Sequence, residues 1–236
     1  LLGNATWLPF HIAHGAADQL VPVTSVAEHV EKFKATGNRY LFDLFPGEDH
    51  MAWSLQDGFG EVTKLLQTPV RETTPGRVDY SFYGHWVRDD LGFGPSGAYW
   101  ARDLRARDAA PGVLARVSGE SAAQPDEPHA VVERLPEPIA PDVDPARQGL
   151  GTPGVRTGQD WQTTGPAPSA REELTVAFEN VAAATLDLPG AGFTFARPGR
   201  IETNSDGAVD LLLGGLPEDV VVALDGQPVA TAPRVA

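Results

Sequence analysis

The chain has 236 residues, 42% of them hydrophobic, with a formal net charge of −14 and no cysteine. This length allows one large domain or two small ones, and the absence of cysteine excludes disulfides, thiolate metal sites and cysteine nucleophiles. The negative charge argues against nucleic acid and anionic membranes as partners, and no apolar run approaches the roughly 20 residues of a membrane span.

The first third of the chain alternates between strand and helix patterns. Residues 8–14 form a short apolar run that predicts a buried strand, and an amphipathic helix ending near Gly37 follows it. Residues 40–45 predict a second strand, and 51–67 predict a second helix. This order favours an α/β fold, with a parallel sheet covered by helices.

After about residue 70 the pattern changes to short strands. These are predicted at Val78–Tyr83, Gly112–Val117, Ala130–Arg134, Leu174–Phe178, Ala208–Leu213 and Val220–Leu224. One helix is predicted, at Ala98–Arg107. Asp206-Gly207 and Asp225-Gly226 are tight-turn dipeptides. We therefore expect two domains, 1–70 of the α/β class and 71–236 a mainly antiparallel, sandwich-like β domain.

The segment 121–168 of the second domain is rich in proline. Each proline removes a backbone donor and fixes φ, so regular sheet or helix is not expected there. We interpret the segment as a long surface excursion of the β domain.

Two ionisable residues follow the two predicted parallel strands. Asp18 lies in the stretch HGAADQLVP after the first strand, and His50 follows the second strand. Loops after parallel strands meet at the carboxyl edge of a sheet, where open α/β folds build their sites. A carboxylate there can fix the tautomer of the imidazole and stabilise the imidazolium, as in a catalytic triad. We expect Gly15 to permit the turn that presents Asp18.

Residues 8–67 resemble the last two strand–helix units of an α/β-hydrolase of the prolyl oligopeptidase (S9) type. The resemblance lies in LPFHIAHGAADQLVPVTSVAEHVEKF, with its HGxxDxxVP core, and in YLFDLFPGEDHMAW. It implies that Asp18 is the triad acid and His50 the general base. Residues 71–236 resemble, more weakly, the carboxyl-terminal β domains that follow the catalytic domain in some secreted bacterial peptidases of this type.

The nucleophile expected from that family is missing. No serine precedes Asp18, and no G-x-S-x-G motif occurs in the chain. We therefore expect the carboxyl-terminal part of a serine peptidase whose serine lies upstream, with a chain that is inactive alone. The resemblance implies a peptide or ester substrate and no cofactor or metal, and we expect an extracellular protein.

Two other functions fit the same residues. An esterase or lipase would use the same triad, since the triad does not separate amide from ester substrates. Alternatively, the β domain could be a non-catalytic binding module. Within the site, Glu48 and Asp49 are rival acids by sequence adjacency, although we favour Asp18.

Other candidate features favour structural roles. His11 and His14 could suggest a metal pair, but strand residues i and i+3 face opposite sides, so core or loop-bracing roles are expected. Trp53 could line a pocket, although helix packing is favoured. Asp142–Asp144 and Asp206-Gly207 lack calcium-loop spacing. A further set is expected to form a β-domain core or interface rather than a ligand platform: Tyr80, Phe82, Tyr83, Trp86, Tyr99 and Trp100.

Overall fold

The structure is a computed structural model that describes residues 1–52, 63, 67, 72–92, 94, 96–140, 152–224 and 227–228. It divides into two compact units. Unit 1 combines Leu1–Thr73 with Glu127–Pro168, and unit 2 combines Thr74–Asp126 with Ser169–Ala236. The first division lies close to the predicted boundary at 70, but the proline-rich segment belongs largely to unit 1 rather than to the β domain.

Strands dominate the described part of the chain. The α-helix whose bounds lie within it is α1 (Val23–Thr36), Ala52, Thr63 and Gln67 are also helical, and short 3-10 turns cover Leu2–Ala5, Gly84–Trp86 and Asp89–Leu91. The strands in chain order are β1 Phe10–Gly15, β2 Tyr40–Phe45, β3 Arg77–Tyr83, β4 Gly97–Ala98, β5 Ala101–Ala106, β6 Leu114–Ser121, β7 His129–Ile139, β8 Gly154–Thr163, β9 Glu173–Glu179, β10 Val181–Asp187, β11 Arg200–Ser205, β12 Asp210–Gly214, β13 Ala223–Leu224 and β14 Gln227–Pro228.

Unit 1 is built on a four-stranded sheet in the order β1-β2-β8-β7. The apolar strands β1 and β2 pair in parallel, and their last residues, Gly15 and Phe45, are register partners. Helix α1 connects them and packs Val30 and Phe33 against the sheet in a small apolar core. Gly37 ends the helix in the left-handed region at φ 72°. The predicted strand–helix–strand order is therefore present over residues 10–45.

The predicted fold class, an α/β-hydrolase parallel sheet with covering helices followed by a mainly antiparallel domain, is wrong. The parallel pairing stops after two strands. The next strand in the sheet, β8, pairs antiparallel with β2, and β7 pairs antiparallel with β8. Strand β8 pairs Val155 with Leu44, far away along the chain. Local periodicity carries no information about such a long-range neighbour. The second predicted helix, 51–67, lies mostly outside the described residues.

The prediction that the proline-rich segment forms no regular sheet is also wrong. Strands β7 and β8 both lie in it, and β7 includes Pro136 and Pro138. Two features accommodate these prolines. Strand β7 is the outermost strand of its sheet, and its pairing with β8 is irregular between Arg134 and Glu137. Prolines in sheets occur at such edges and bulges, where a missing N–H costs least.

Unit 2 contains two four-stranded sheets, β12-β10-β5-β4 and β11-β9-β6-β3. Both are mixed rather than antiparallel, because β12 runs parallel to β10 and β11 runs parallel to β9. One apolar core takes residues from both sheets, among them Leu186 of β10, Val117 of β6 and Phe178 of β9, together with Trp100 of the β4–β5 turn, all fully or almost fully buried. The indole N–H of Trp100 donates to the carbonyl of Pro75 over 3.1 Å, which satisfies its buried polar atom.

The prediction of a helix at Ala98–Arg107 is wrong, since this segment forms the end of β4, a turn and β5. Tyr99 has φ 55°, which breaks a right-handed helix at that position. Strand β5 pairs with β10 and buries Ala101 and Leu104. The helix-favouring side chains are thus overridden by burial and strand pairing. No helix within the described residues is long and apolar enough to cross a membrane.

Candidate active site

Asp18 lies in the loop between β1 and α1, and local hydrogen bonds fix its carboxylate. One oxygen, Oδ1, accepts the backbone N–H groups of Leu20 over 2.8 Å and Val21 over 2.9 Å. Such an aspartate-centred turn is a common way to order a short loop. It also settles the orientation of the carboxylate, because the second oxygen, Oδ2, is left to face the neighbouring loop.

His50 lies in that neighbouring loop, which follows β2. Its Nδ1 is 2.9 Å from Asp18 Oδ2. The Asp18 side chain is only 3% exposed, whereas that of His50 is 48% exposed. A carboxylate can only accept, so the proton of this hydrogen bond belongs to His50 Nδ1. The other ring nitrogen, Nε2, then carries a lone pair on a half-exposed imidazole.

The two loops meet through their backbones, and Gly15 makes this possible. The N–H of Ala17 donates to the carbonyl of Glu48 over 2.9 Å. A β-carbon at position 15 would lie 2.2 Å from the carbonyl oxygen of Glu48 and 2.3 Å from that of Asp49. Glycine is therefore required for close approach of the loops, in addition to the turn expected from the sequence.

Replacing Gly15 with alanine is expected to push the His50 loop away from Asp18. Overpacking of this kind typically costs about 1–3 kcal/mol in the free energy of unfolding. Chemical denaturation measures that cost, and Gly165→Ala is a matched control in unit 1, because its β-carbon would meet nothing closer than 3.9 Å. Equal stability of the two variants would contradict the close approach of the loops.

The carboxyl group of Asp18 is held in its ionised form. Removal from water raises its pKa, but this is outweighed by the hydrogen bonds from Val21 N–H, His50 and Leu20 N–H together with the charge of His50. The net effect lowers the pKa from 3.8 to about 2. Asp18 is therefore an anion at neutral pH.

This lowered pKa predicts an acid-sensitive contribution to stability. Because the folded-state pKa lies below the ordinary value, ionised Asp18 stabilises the fold above about pH 4, and the contribution is lost as pH falls through about 2. The difference in free energy of unfolding between the wild type and Asp18→Asn should therefore shrink as pH falls from about 4 toward 2. Urea unfolding at a series of pH values tests this, and a difference independent of pH would contradict it.

The rival acids have other partners. The carboxylate of Glu48 accepts the hydroxyl of Thr152 over 3.0 Å, and that of Asp49 accepts the N–H of Met51 over 2.9 Å. Within the described residues, Asp18 is the carboxylate that hydrogen-bonds His50. Trp53, the predicted pocket residue, lies outside the described residues.

The two histidines of β1 point to different aspartates, as their spacing predicts. His11 Nε2 lies 2.8 Å from Oδ2 of Asp43 on β2, and Arg156 of β8 clamps the same carboxylate with two contacts of 2.7 Å. His14 instead lies on the side of Asp18, with its Nδ1 3.9 Å from Asp18 Oδ2. Sequence reasoning missed this proximity, although an i, i+4 spacing across the Gly15 turn was a usable signal.

The aromatic set of unit 2 divides into two groups. Phe82 and Trp100 are buried in the core, with Tyr80 and Tyr99 packed against it. Trp86 is half exposed, and its ring centre lies 4.8 Å from that of Tyr83. The set is thus partly core, as expected, and does not form one continuous platform.

The hydrogen bond between Asp18 and His50 is an arrangement that can move a proton at His50. A search of the described residues finds no cluster of three histidine or acidic side chains that could hold a metal ion, and Asp142–Asp144 lies outside them. Comparisons with protein-family models, with curated proteins and with solved structures each found no match. The chemistry of the site therefore has to be inferred from its own geometry.

Proposed function

We propose that Asp18 and His50 are the acid and the base of a serine hydrolase, and that the nucleophilic serine is carried by polypeptide preceding this chain. The observation that supports this most is the 2.9 Å hydrogen bond from His50 Nδ1 to a buried, ionised carboxylate. It leaves the Nε2 lone pair of a half-exposed imidazole free to accept a proton. This is the geometry that a triad requires of its acid and base.

The proposed chemistry has two proton transfers at His50 Nε2 in each of its two half-reactions. The serine hydroxyl loses its proton to Nε2 as its oxygen attacks the acyl carbon of the substrate. The imidazolium that forms is stabilised by Asp18, whose Oδ1 bonds to Leu20 and Val21 keep the carboxylate from turning. Nε2 then returns the proton to the leaving group, and a water repeats the sequence to release the acid.

A peptidase of the prolyl oligopeptidase type is the preferred member of this class. Its support is the HGxxDxxVP core around Asp18 and the 32-residue separation of Asp18 and His50. We place the serine in preceding polypeptide because no serine of this chain precedes Asp18 and none stands in a G-x-S-x-G motif. The substrate would be a peptide, and an ester is the alternative that the acid and base alone do not distinguish.

The proposal is tested by labelling the natural full-length protein with a fluorophosphonate probe. We expect one labelled serine, N-terminal to Asp18 in sequence, and strongly reduced labelling in His50→Ala. His29→Ala is a matched control, since His29 is an exposed histidine whose Nδ1–H donates to the backbone carbonyl of Ser25. It should label like the wild type.

Two results would overturn the proposal. The first is the absence of any labelled serine in the full-length protein, which would favour a binding module. The second is labelling that is unchanged by His50→Ala. If labelling behaves as expected, matched amide and ester substrates with the same acyl group separate a peptidase from an esterase.

A further inference from the structure

His14 is a buried histidine beside the Asp18–His50 pair. Its side chain is 9% exposed, and it lies one residue before the end of β1. Its two ring nitrogens have different surroundings. Nδ1 lies 3.9 Å from Asp18 Oδ2, the oxygen that binds His50, while Nε2 is fully buried and has no hydrogen-bond partner within the described part of the chain.

These surroundings select one tautomer of neutral His14. A proton on Nε2 would leave a buried N–H without an acceptor and would turn the Nδ1 lone pair toward a carboxylate, and both are unfavourable. A proton on Nδ1 directs the positive end of the N–H dipole toward Asp18 Oδ2. It leaves only a lone pair unpaired at Nε2, which is the smaller loss.

We infer that His14, as the neutral Nδ1–H tautomer, is a positioning residue that keeps the Asp18 carboxylate directed toward His50. The 3.9 Å separation is too long for a hydrogen bond, so the interaction is between a charge and a dipole, strengthened by the shielding of both groups from water. The consequence for catalysis rests on the proposed function, because the position of Asp18 matters to turnover only if His50 is the base.

Two variants of similar size distinguish the effect of the Nδ1–H group on Asp18 from the effect of packing by the imidazole ring. In His14→Asn the side-chain amide can place an N–H close to the position of Nδ1, whereas His14→Leu has a similar shape and no donor. The carboxyl ¹³C resonance of Asp18, assigned by its loss in Asp18→Asn, reports the titration of that group in this chain. Nitrogen-15 shifts of the wild-type ring report which nitrogen of His14 is protonated.

We expect Nδ1 of wild-type His14 to carry the proton at neutral pH. We expect His14→Leu to raise the titration midpoint of Asp18 by about half a pH unit, and His14→Asn to leave it near the wild-type value. Thermal unfolding shows whether the variants are folded. The wild-type nitrogen shifts keep the inference testable if they are not.

The inference is overturned if the proton lies on Nε2, if neither variant moves the Asp18 midpoint, or if both move it equally, since the last result reports only lost ring packing. These outcomes are independent of fluorophosphonate labelling. Labelling that depends on His50 together with a proton on His14 Nε2 overturns the inference alone. A protein without a reactive serine, but with the expected titrations, overturns the proposed function alone.

Discussion

On the proposed function, Asp18→Asn is expected to lower kcat/KM of the natural full-length protein on the order of 10⁴-fold, the scale of the loss when a triad acid is replaced by its amide. The structure gives the reason. The amide oxygen must take the Oδ1 position to accept the N–H groups of Leu20 and Val21, so the amide NH2 takes the Oδ2 position and faces His50. His50 then has to accept at Nδ1 and carry its proton on Nε2, where it cannot act as a base.

Asp49→Asn is the matched control for this substitution. Asp49 is adjacent to His50 in sequence, but its carboxylate accepts the N–H of Met51, a bond that asparagine can keep through its own carbonyl oxygen. It should change kcat/KM by less than about threefold, within the range of a minor loop adjustment. Equal losses from the two variants would show that Asp18 is not the residue that orients His50.

Asp43→Ala is expected to destabilise the chain by about 3 kcal/mol, the lower end of the cost of removing one partner from a buried ion pair. Asp43 is buried and accepts from His11 and, through both of its oxygens, from Arg156. The hydrogen bonds to Arg156 and His11 outweigh the effect of burial and lower the pKa of Asp43. Removing the carboxylate leaves a guanidinium and an imidazole without their acceptor inside the sheet.

The control for this loss is Asp160→Ala. Asp160 pairs with Arg134 across β7 and β8 of the same sheet at 3.0 Å, but these side chains are 50% and 42% exposed. An exposed pair contributes about 0–1 kcal/mol. Urea denaturation of the three proteins measures the difference, and a cost for Asp43→Ala as small as that for Asp160→Ala would contradict a buried role for Asp43.

The sequence was sufficient to predict the meeting of Asp18 and His50. Two short apolar runs joined by one amphipathic helix determine a parallel pair, and a parallel pair brings its following loops to one edge. The contacts that place the two side chains are all within about 35 residues of each other along the chain, so local pattern and spacing contain them. The turn at Gly15 is also predictable from the sequence. That a side chain at position 15 would collide with the His50 loop is visible only in the structure.

The remainder of unit 1 depends on contacts that no local pattern contains. Strands β7 and β8 join the sheet from a segment whose prolines predict irregular structure, and Arg156 of β8 completes the buried site of Asp43. An edge position and a bulge make Pro136 and Pro138 tolerable, and neither feature can be derived from composition. The prediction of an α/β-hydrolase sheet failed for this reason.

In unit 2 the error at Ala98–Arg107 has a different cause. Alanine, arginine and leucine favour a helix, but the segment contains a turn at Tyr99–Trp100, and its strand β5 buries Ala101 and Leu104 in the core of unit 2. Tertiary burial outweighs helix propensity, which amounts to a few tenths of a kcal/mol per residue. The sequence predicts only a structural role for His14, because it does not reveal which side of β1 faces the Asp18 turn.

The central claim, the proposal that Asp18 acts through His50 on a serine, is tested most directly by a double-mutant cycle on kcat/KM of the natural full-length protein. Residues that act as one unit are strongly non-additive, whereas independent residues multiply their effects. We expect Asp18→Asn to cost a large factor in the wild type and nothing further in the His50→Ala background. If Asp18→Asn costs the same factor in both backgrounds, Asp18 does not act through His50 and the account is wrong.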